Sequence, residues 1–268
     1  MSVITISRQM GSLGEEIAQE VSGKLQYEYL DRDGIEQGLT THGLAVPEVE
    51  KFDEKSLHFW VKWQIQGQKF FHAMQTVIYE AARRDNVVIV GRGGQVLLKG
   101  IPGVLHVRII APLQDRVRRL AVQRGGNEKE LLRILKQSDR DSVGFIRTFF
   151  DVDWENADLY DLTINTRDLS VDVAVDMILS VVPAVDAMKD IQRSRERLDD
   201  LILQQKVETV LLTENISDIR VEVAKGVVTL GGSAPSSLEG QRYVSLVSEV
   251  EGVQKVENNM IIRLPTSM

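Results

Sequence analysis

"ITISRQMGSLGEEIAQEV", residues 4–21, runs from a β-branched apolar stretch through a glycine-containing turn into helical spacing. A strand entering such a turn leaves backbone N–H groups unpaired at the start of the following helix, where they carry a partial positive charge. Anions bind at such places. A complete nucleoside-triphosphate loop reads G-x-x-x-x-G-K-[ST], its lysine reaching the outer phosphates and its hydroxyl holding Mg²⁺. Gly11 and Gly14 are present here, but Gln9 takes the first glycine position and Glu15 follows Gly14 where lysine would stand. Ser12 and Glu15 also have capping-box spacing, worth about 1 kcal/mol without any ligand. The turn therefore has two readings: a phosphate site in which Arg8 swings across to offset Glu15, or a capped helix start.

Outward from this turn, "SVITIS", "NVVIVG", "VLHVRII" and "YDLTINT" are short β-branched runs separated by longer helical patterns. That alternation predicts a parallel sheet flanked by helices. Between Pro47 and Asp85, Trp60, Trp63, Gly67, Phe70, Phe71, Met74, Val77, Ile78 and Ala81 recur at steps of three and four, predicting long helices. The aromatic stripe reads as core or as the wall of a base pocket. The pattern ends at Pro183, and residues 186–212 follow as a charged helix. Beyond it the period changes to two. Ile219, Val221 and Val223 alternate, "AKG" turns the chain, "VVTLGG" returns, and Ser236 and Glu239 open another helix before Val256, Met260, Ile262 and Leu264 alternate again. This predicts a small α+β module, and the division expected is 1–185, a helical join at 186–200, and 201–264.

A chain of 268 residues suits two cores of about 150 residues each or less. With 43% hydrophobic and 26% charged residues it belongs to the folded globular class. The formal charge of −7 disfavours nucleic acid as a partner. No cysteine is present, so no disulfide framework or thiolate metal site is expected, and no stretch reads as a secretory signal or membrane span. The expected location is the cytoplasm. His42, His58, His72 and His106 show no metal-ligand spacing, so no resident metal is expected.

In this order occur "ITISRQMGSLGEEIA", "YEYLDRDGI", "VVIVGRGGQVLL", "VRIIAPLQDRVRRL" and "SDRDSVGFIRTFFDVDWENADLYDLTINT". Together they resemble the cytidylate kinase-like family over about residues 1–182. The resemblance implies a P-loop kinase-like α/β core, Mg²⁺ brought with ATP, and a nucleoside monophosphate such as CMP as acceptor. It implies donor-phosphate contacts at Arg8, Gly11, Ser12 and Gly14. "YLDRDG" is similar to the family's acceptor segment, making Asp31 either an acceptor contact or a helix N-cap. "VGRGG" is similar to the kinases' "DGRD" turn, which carries an acceptor-phosphate arginine over to Arg92 and leaves Gly93 where the kinases have aspartate. Arg116, Arg119, Arg140 and Arg147 are the candidate catalytic arginines, since planar guanidinium forks neutralise charge on a transferred phosphoryl group, and with Asp115, Asp139 and Asp141 as neighbours the other reading is surface ion pairs. Leu13 and Glu15 depart from the family's glycine and basic residue.

Residues 199–264 resemble a BON domain through "DIRVEVAKGVVTLGGSAPS" and "VEGVQKVENNMIIR". That resemblance implies attachment to a protein or phospholipid, or sensing of a small ligand. Three functions are therefore expected to compete: a nucleoside monophosphate kinase, a nucleotide-binding pseudokinase that signals through its BON module, and a non-enzymatic adaptor.

Overall fold

The computed structural model describes residues 2–41 and 64–263. Trp60, Trp63, His42, His58 and Leu264 lie outside the described residues. Among those described, five strands form a parallel sheet in the order β2-β3-β1-β4-β5: β1 (Val3–Arg8), β2 (Glu28–Leu30), β3 (Val87–Val90), β4 (Val104–Ile110) and β5 (Leu162–Asn165). The four β-branched runs supply β1, β3, β4 and β5. The edge strand β2 is only three residues long, too short to show a period in sequence.

β3 is buried at every residue and β1 and β4 nearly so, as expected of a sheet covered on both faces. One face packs Val3, Val87 and Ile89 against α2 (Arg32–Thr41) and α3 (Gln64–Arg84), through Ile35, Leu39, Phe70, Met74 and Ile78. The aromatic stripe here is core, with Phe70 and Met74 sealed from solvent. The other face packs Ile4, Ile6, Val88, Val107 and Ile109 against α1 (Gly14–Leu25) and a later helix, through Ile17, Val21, Val175 and Ile178. After β3 comes the short α4 (Gly94–Leu97), and after β4 the hairpin of α5 (Leu113–Arg124) and α6 (Glu128–Phe150), closed on itself by Val117, Leu120, Leu131 and Leu135.

The later helix α7 (Val171–Ala187) begins at a Ser170 cap and carries Pro183 inside it, so the helix does not stop at the proline. A non-helical break at Met188–Asp190 follows, and Asp190 caps α8 (Ile191–Thr213). The C-terminal module is β6 (Ile219–Ala224), β7 (Val227–Ala234), α9 (Ser237–Ser248), β8 (Lys255–Asn258) and β9 (Ile261–Ile262). β6 and β7 form a hairpin across the two-residue turn Lys225–Gly226, β8 and β9 add parallel to β7, and Ser236 accepts from the Glu239 N–H as the capping spacing predicts. Leu203, Val207 and Leu211 of α8 form its core with Val221, Val228, Leu230 and Val247. No helix of the described residues is long and apolar enough to cross a membrane.

Candidate phosphate-binding site

The C-terminal ends of β1, β2, β3 and β4 bring the turns after them to one edge of the sheet, where open α/β sheets bind ligands. α1 starts at Gly14, preceded by Leu13 in a left-handed conformation, with no side chain capping it. The capping box expected from Ser12 and Glu15 does not form. Ser12 is fully buried and its hydroxyl donates inward, to the carbonyls of Gln9 (2.7 Å) and Ile109 (3.2 Å). Glu15 instead accepts from Arg8 Nη2 at 3.0 Å and Nε at 3.3 Å. Gly14 is needed for close approach: a Cβ there would collide with the Arg8 stem, 2.8 Å from Cγ. Arg8 is thus held flat between the start of α1 and Gly91.

The turn after β3 is left-handed at Gly91, Arg92 and Gly93. Arg92 is buried, with Nη2 3.7 Å from Glu36 Oε1, and Arg32 donates to the same carboxylate at 2.7 Å. A Cβ on Gly93 would collide with the edge of the Phe150 ring, 2.5 Å from Cζ. An aspartate at this position, as in the kinases' turn, has no room. Asp31 Oδ1 accepts from the Gly34 N–H at 3.1 Å, so it caps the start of α2, the second of the two roles its sequence position allows. Tyr29 lies on the edge strand β2, and burial, with Asp31 and Glu15 nearby, pushes its phenol above the ordinary value.

The four candidate catalytic arginines divide. Arg116 is buried and forms a bidentate pair with Asp139 of α6 at 3.0 and 2.7 Å, its Nη1 also reaching the Met10 carbonyl at 3.3 Å. Arg119 donates to Thr166 Oγ1 at 2.9 Å and Thr166 O at 2.5 Å, and reaches the Gly11 carbonyl at 3.4 Å. Both therefore brace the loop from behind with their donors directed at protein oxygens. Arg140 donates to Gln137 one turn away, and Arg147 is exposed beside Asp151 and Asp153. These two stand on the face of α6 opposite Leu131, Phe145 and Ile146, and the structure does not bring them to the turn.

Sequence reasoning missed several residues at this edge. Thr166, sealed from solvent at the end of "LTINT", donates to the Ser12 carbonyl at 2.8 Å and so ties the loop to Arg119. Trp154 donates to Ser7 Oγ at 2.8 Å, and Arg108 lies over its ring at 4.8 Å and donates to its carbonyl at 2.8 Å. Position at a strand's C-terminal end is the signal that marks Ser7 and Thr166. Glu16 occupies the place of the metal-binding hydroxyl in a triphosphate loop and accepts from Gln123. Among the described residues no group of three His, Asp or Glu is placed to hold a metal. The donor set fits a single anion at the turn better than a Mg²⁺–triphosphate: the lysine is absent, Ser12 is turned inward and two carboxylates flank the helix start. Ser7, Arg8, Arg92, Gln95, Phe145 and Trp154 line a cavity of about 20 Å³ between the two turns, room for about one water.

Residues 3–168 match the cytidylate kinase-like family and residues 199–263 the BON domain. A curated cytidylate kinase of Pyrobaculum calidifontis is 24% identical over 183 residues, 68% of this chain and 93% of that one. One from Pyrococcus horikoshii is 24% identical over 199 residues, 73% of this chain and 95% of that one. A 95-residue stretch is 30% identical to part of a uronate isomerase of Corynebacterium glutamicum, of whose length the match spans only 18%. The fold is shared with an uncharacterized protein of Eubacterium ventriosum, at 18% identity and TM-score 0.54 over 69% of this chain and 99% of that one.

Proposed function

Because this chain belongs to the cytidylate kinase-like family, we propose that it binds a nucleoside phosphate between the turn after β1 and the turn after β3, as a sensor rather than a fast phosphoryl-transfer enzyme. The observation that carries this reading is the first turn of α1. Carboxylates stand at both positions where a triphosphate loop places its lysine and its metal-binding hydroxyl, and one of them holds Arg8. Transfer also needs cations aimed at a phosphoryl group whose charge spreads over three oxygens. Arg116 and Arg119 direct their donors at Asp139, Thr166 and loop carbonyls, and Arg140 and Arg147 face outward. In this reading the loop amides and Arg8 meet one phosphate, Arg92 and Asp31 orient the nucleotide, and occupancy is passed through α8 to the BON module and its protein, phospholipid or small-ligand partner.

A second reading, transfer from Mg-ATP to CMP, is supported by the cytidylate kinases matched over more than nine-tenths of their length. Calorimetry and coupled ADP detection with Mg-ATP and each nucleoside monophosphate separate the two. Sensor behaviour is binding without acceptor-dependent ADP, weakened by Arg92→Ala. Acceptor-dependent ADP that disappears in Arg92→Ala would establish the kinase and refute the sensor. Glu15→Lys sharpens the contrast, since it should raise turnover only where turnover exists.

A further inference from the structure

Gln95 sits on α4 at the inner wall of the cavity between the two turns, 2% exposed, and its Nε2 meets no acceptor at hydrogen-bonding geometry. A buried amide NH₂ without a partner is costly and rare in a native fold. The Tyr160 hydroxyl is near enough for Gln95 to lower its pKa, against the larger upward push of burial. That hydroxyl has one proton, and its shorter bond, 2.9 Å, is to the Trp154 carbonyl.

The rest of the wall is also made of donors. Arg8 gives Nε and Nη2 to Glu15, while its Nη1 lies against Gly91 on the cavity wall. Arg92 is buried beside it. The Ser7 oxygen is engaged as acceptor by the indole of Trp154, an N–H that can only donate. A water placed here would find donors and few acceptors, whereas an oxyanion would find a charge-assisted partner in the Arg8 guanidinium.

We propose that this cavity seats an oxygen of a phosphoryl group and that Gln95 is a ligand that positions it. The inference rests on the nucleotide-binding reading above and adds the residue and the part of the ligand recognised. Full-length wild type and Gln95→Met would be titrated by calorimetry with inorganic phosphate, CMP and cytidine, with ligand-free urea unfolding in parallel. A hydrogen bond to a charged group is worth enough that Gln95→Met should weaken CMP and phosphate by about tenfold to a hundredfold. Cytidine affinity should not change, and the ligand-free variant should be at least as stable as wild type because an unpaired donor has gone. A merely structural glutamine would show the opposite, a fall in stability with no selective loss of the phosphate-bearing ligands. Gln95→Glu keeps the shape and places a negative charge in the cavity; it should abolish CMP and phosphate binding, and it decides the matter if Gln95→Met does not fold. Equal CMP affinity in wild type and both variants, or equal affinity of wild type for CMP and cytidine, overturns this inference alone. Wild type that binds none of the three probes overturns it together with the nucleotide-binding reading.

Discussion

Gly93→Ala tests whether the turn after β3 is locked to the end of α6. Gly93 has φ +75°, where an L side chain costs about 1–2 kcal/mol. The added Cβ would lie 2.5 Å from Phe150 Cζ, whereas carbon atoms rest at about 3.5–4.0 Å, so the ring must retreat by about 1 Å. It cannot swing freely, because it meets Phe71 edge-on at 5.4 Å and Phe145 at 6.1 Å. Overpacking of this kind costs about 1–3 kcal/mol. The sum predicts a loss of about 2–5 kcal/mol, read as a lower urea midpoint at unchanged m-value. A double-mutant cycle apportions it: in a Phe150→Ala background the steric part vanishes and only the backbone part, about 1–2 kcal/mol, remains. A loss below about 1 kcal/mol for Gly93→Ala in wild type, or the same loss in both backgrounds, would refute the packing argument. Gly93→Asp, which restores the kinases' residue, should then destabilise rather than repair the site.

Arg116→Ala should cost about 3 kcal/mol, since it strands Asp139 beside the loop, whereas Arg116→Met with Asp139→Leu should recover most of it in urea unfolding. Thr166→Val removes the bond to the Ser12 carbonyl and one of Arg119's acceptors, its backbone carbonyl bond remaining; it should cost about 1–3 kcal/mol and speed hydrogen exchange at the amides of residues 12–14. His72 of α3 faces Gln205 and Glu208 of α8, with Nδ1 at 2.6 and 3.3 Å from their oxygens. Burial alone would lower its pKa, but the bonds to Glu208 and Gln205 together raise it. A raised histidine stabilises fully below its unfolded value of about 6.5 and loses that contribution as pH rises through the folded value. Stability should therefore fall over the window above about pH 6.5, and His72→Gln should flatten that part of the urea-midpoint profile.

The centre of the sheet was legible because β1, β3 and β4 are buried on both faces, and a strand with no solvent side must be a continuous β-branched run. β2 escaped because three residues carry no period, and α7 ran past Pro183 because a proline removes one hydrogen bond without forcing a helix to end there. At the site, glycines and arginines could be found but not aimed. Whether Ser12 caps a helix or donates to Gln9 depends on one residue, Leu13, turning left-handed, and side-chain spacing does not report that. Arg116 and Arg119 stand three apart whether they face a phosphate or Asp139 and Thr166. Their partners lie 23 and 47 residues away, so the pairing exists only in the folded chain.

The join between the two modules follows the same rule, because its meaning lies in what α8 touches. Leu198 belongs to the core on the α2/α3 face of the parallel sheet, while Leu203, Val207 and Leu211 belong to the core of the C-terminal sheet. Ser194 donates to the Pro102 carbonyl at 2.8 Å, and Asp200 accepts the N–H groups of Lys225 and Gly226 at 2.9 and 3.1 Å. One unbroken helix therefore completes two cores and closes the turn of the hairpin. A charged sequence reads as a solvated spacer, yet the charges serve as side-on contacts, as in Arg83 of α3 with Asp199 at 2.5 Å. A flexible linker would let the C-terminal module move without altering the kinase-like core. A shared helix does not, since any displacement of α8 disturbs Leu198 and His72's partners together, on the same layer that seats Phe145 and Trp154 beside the cavity. The coupling proposed between the nucleotide site and the C-terminal module would need only two packings of α8, not a flexible signal path.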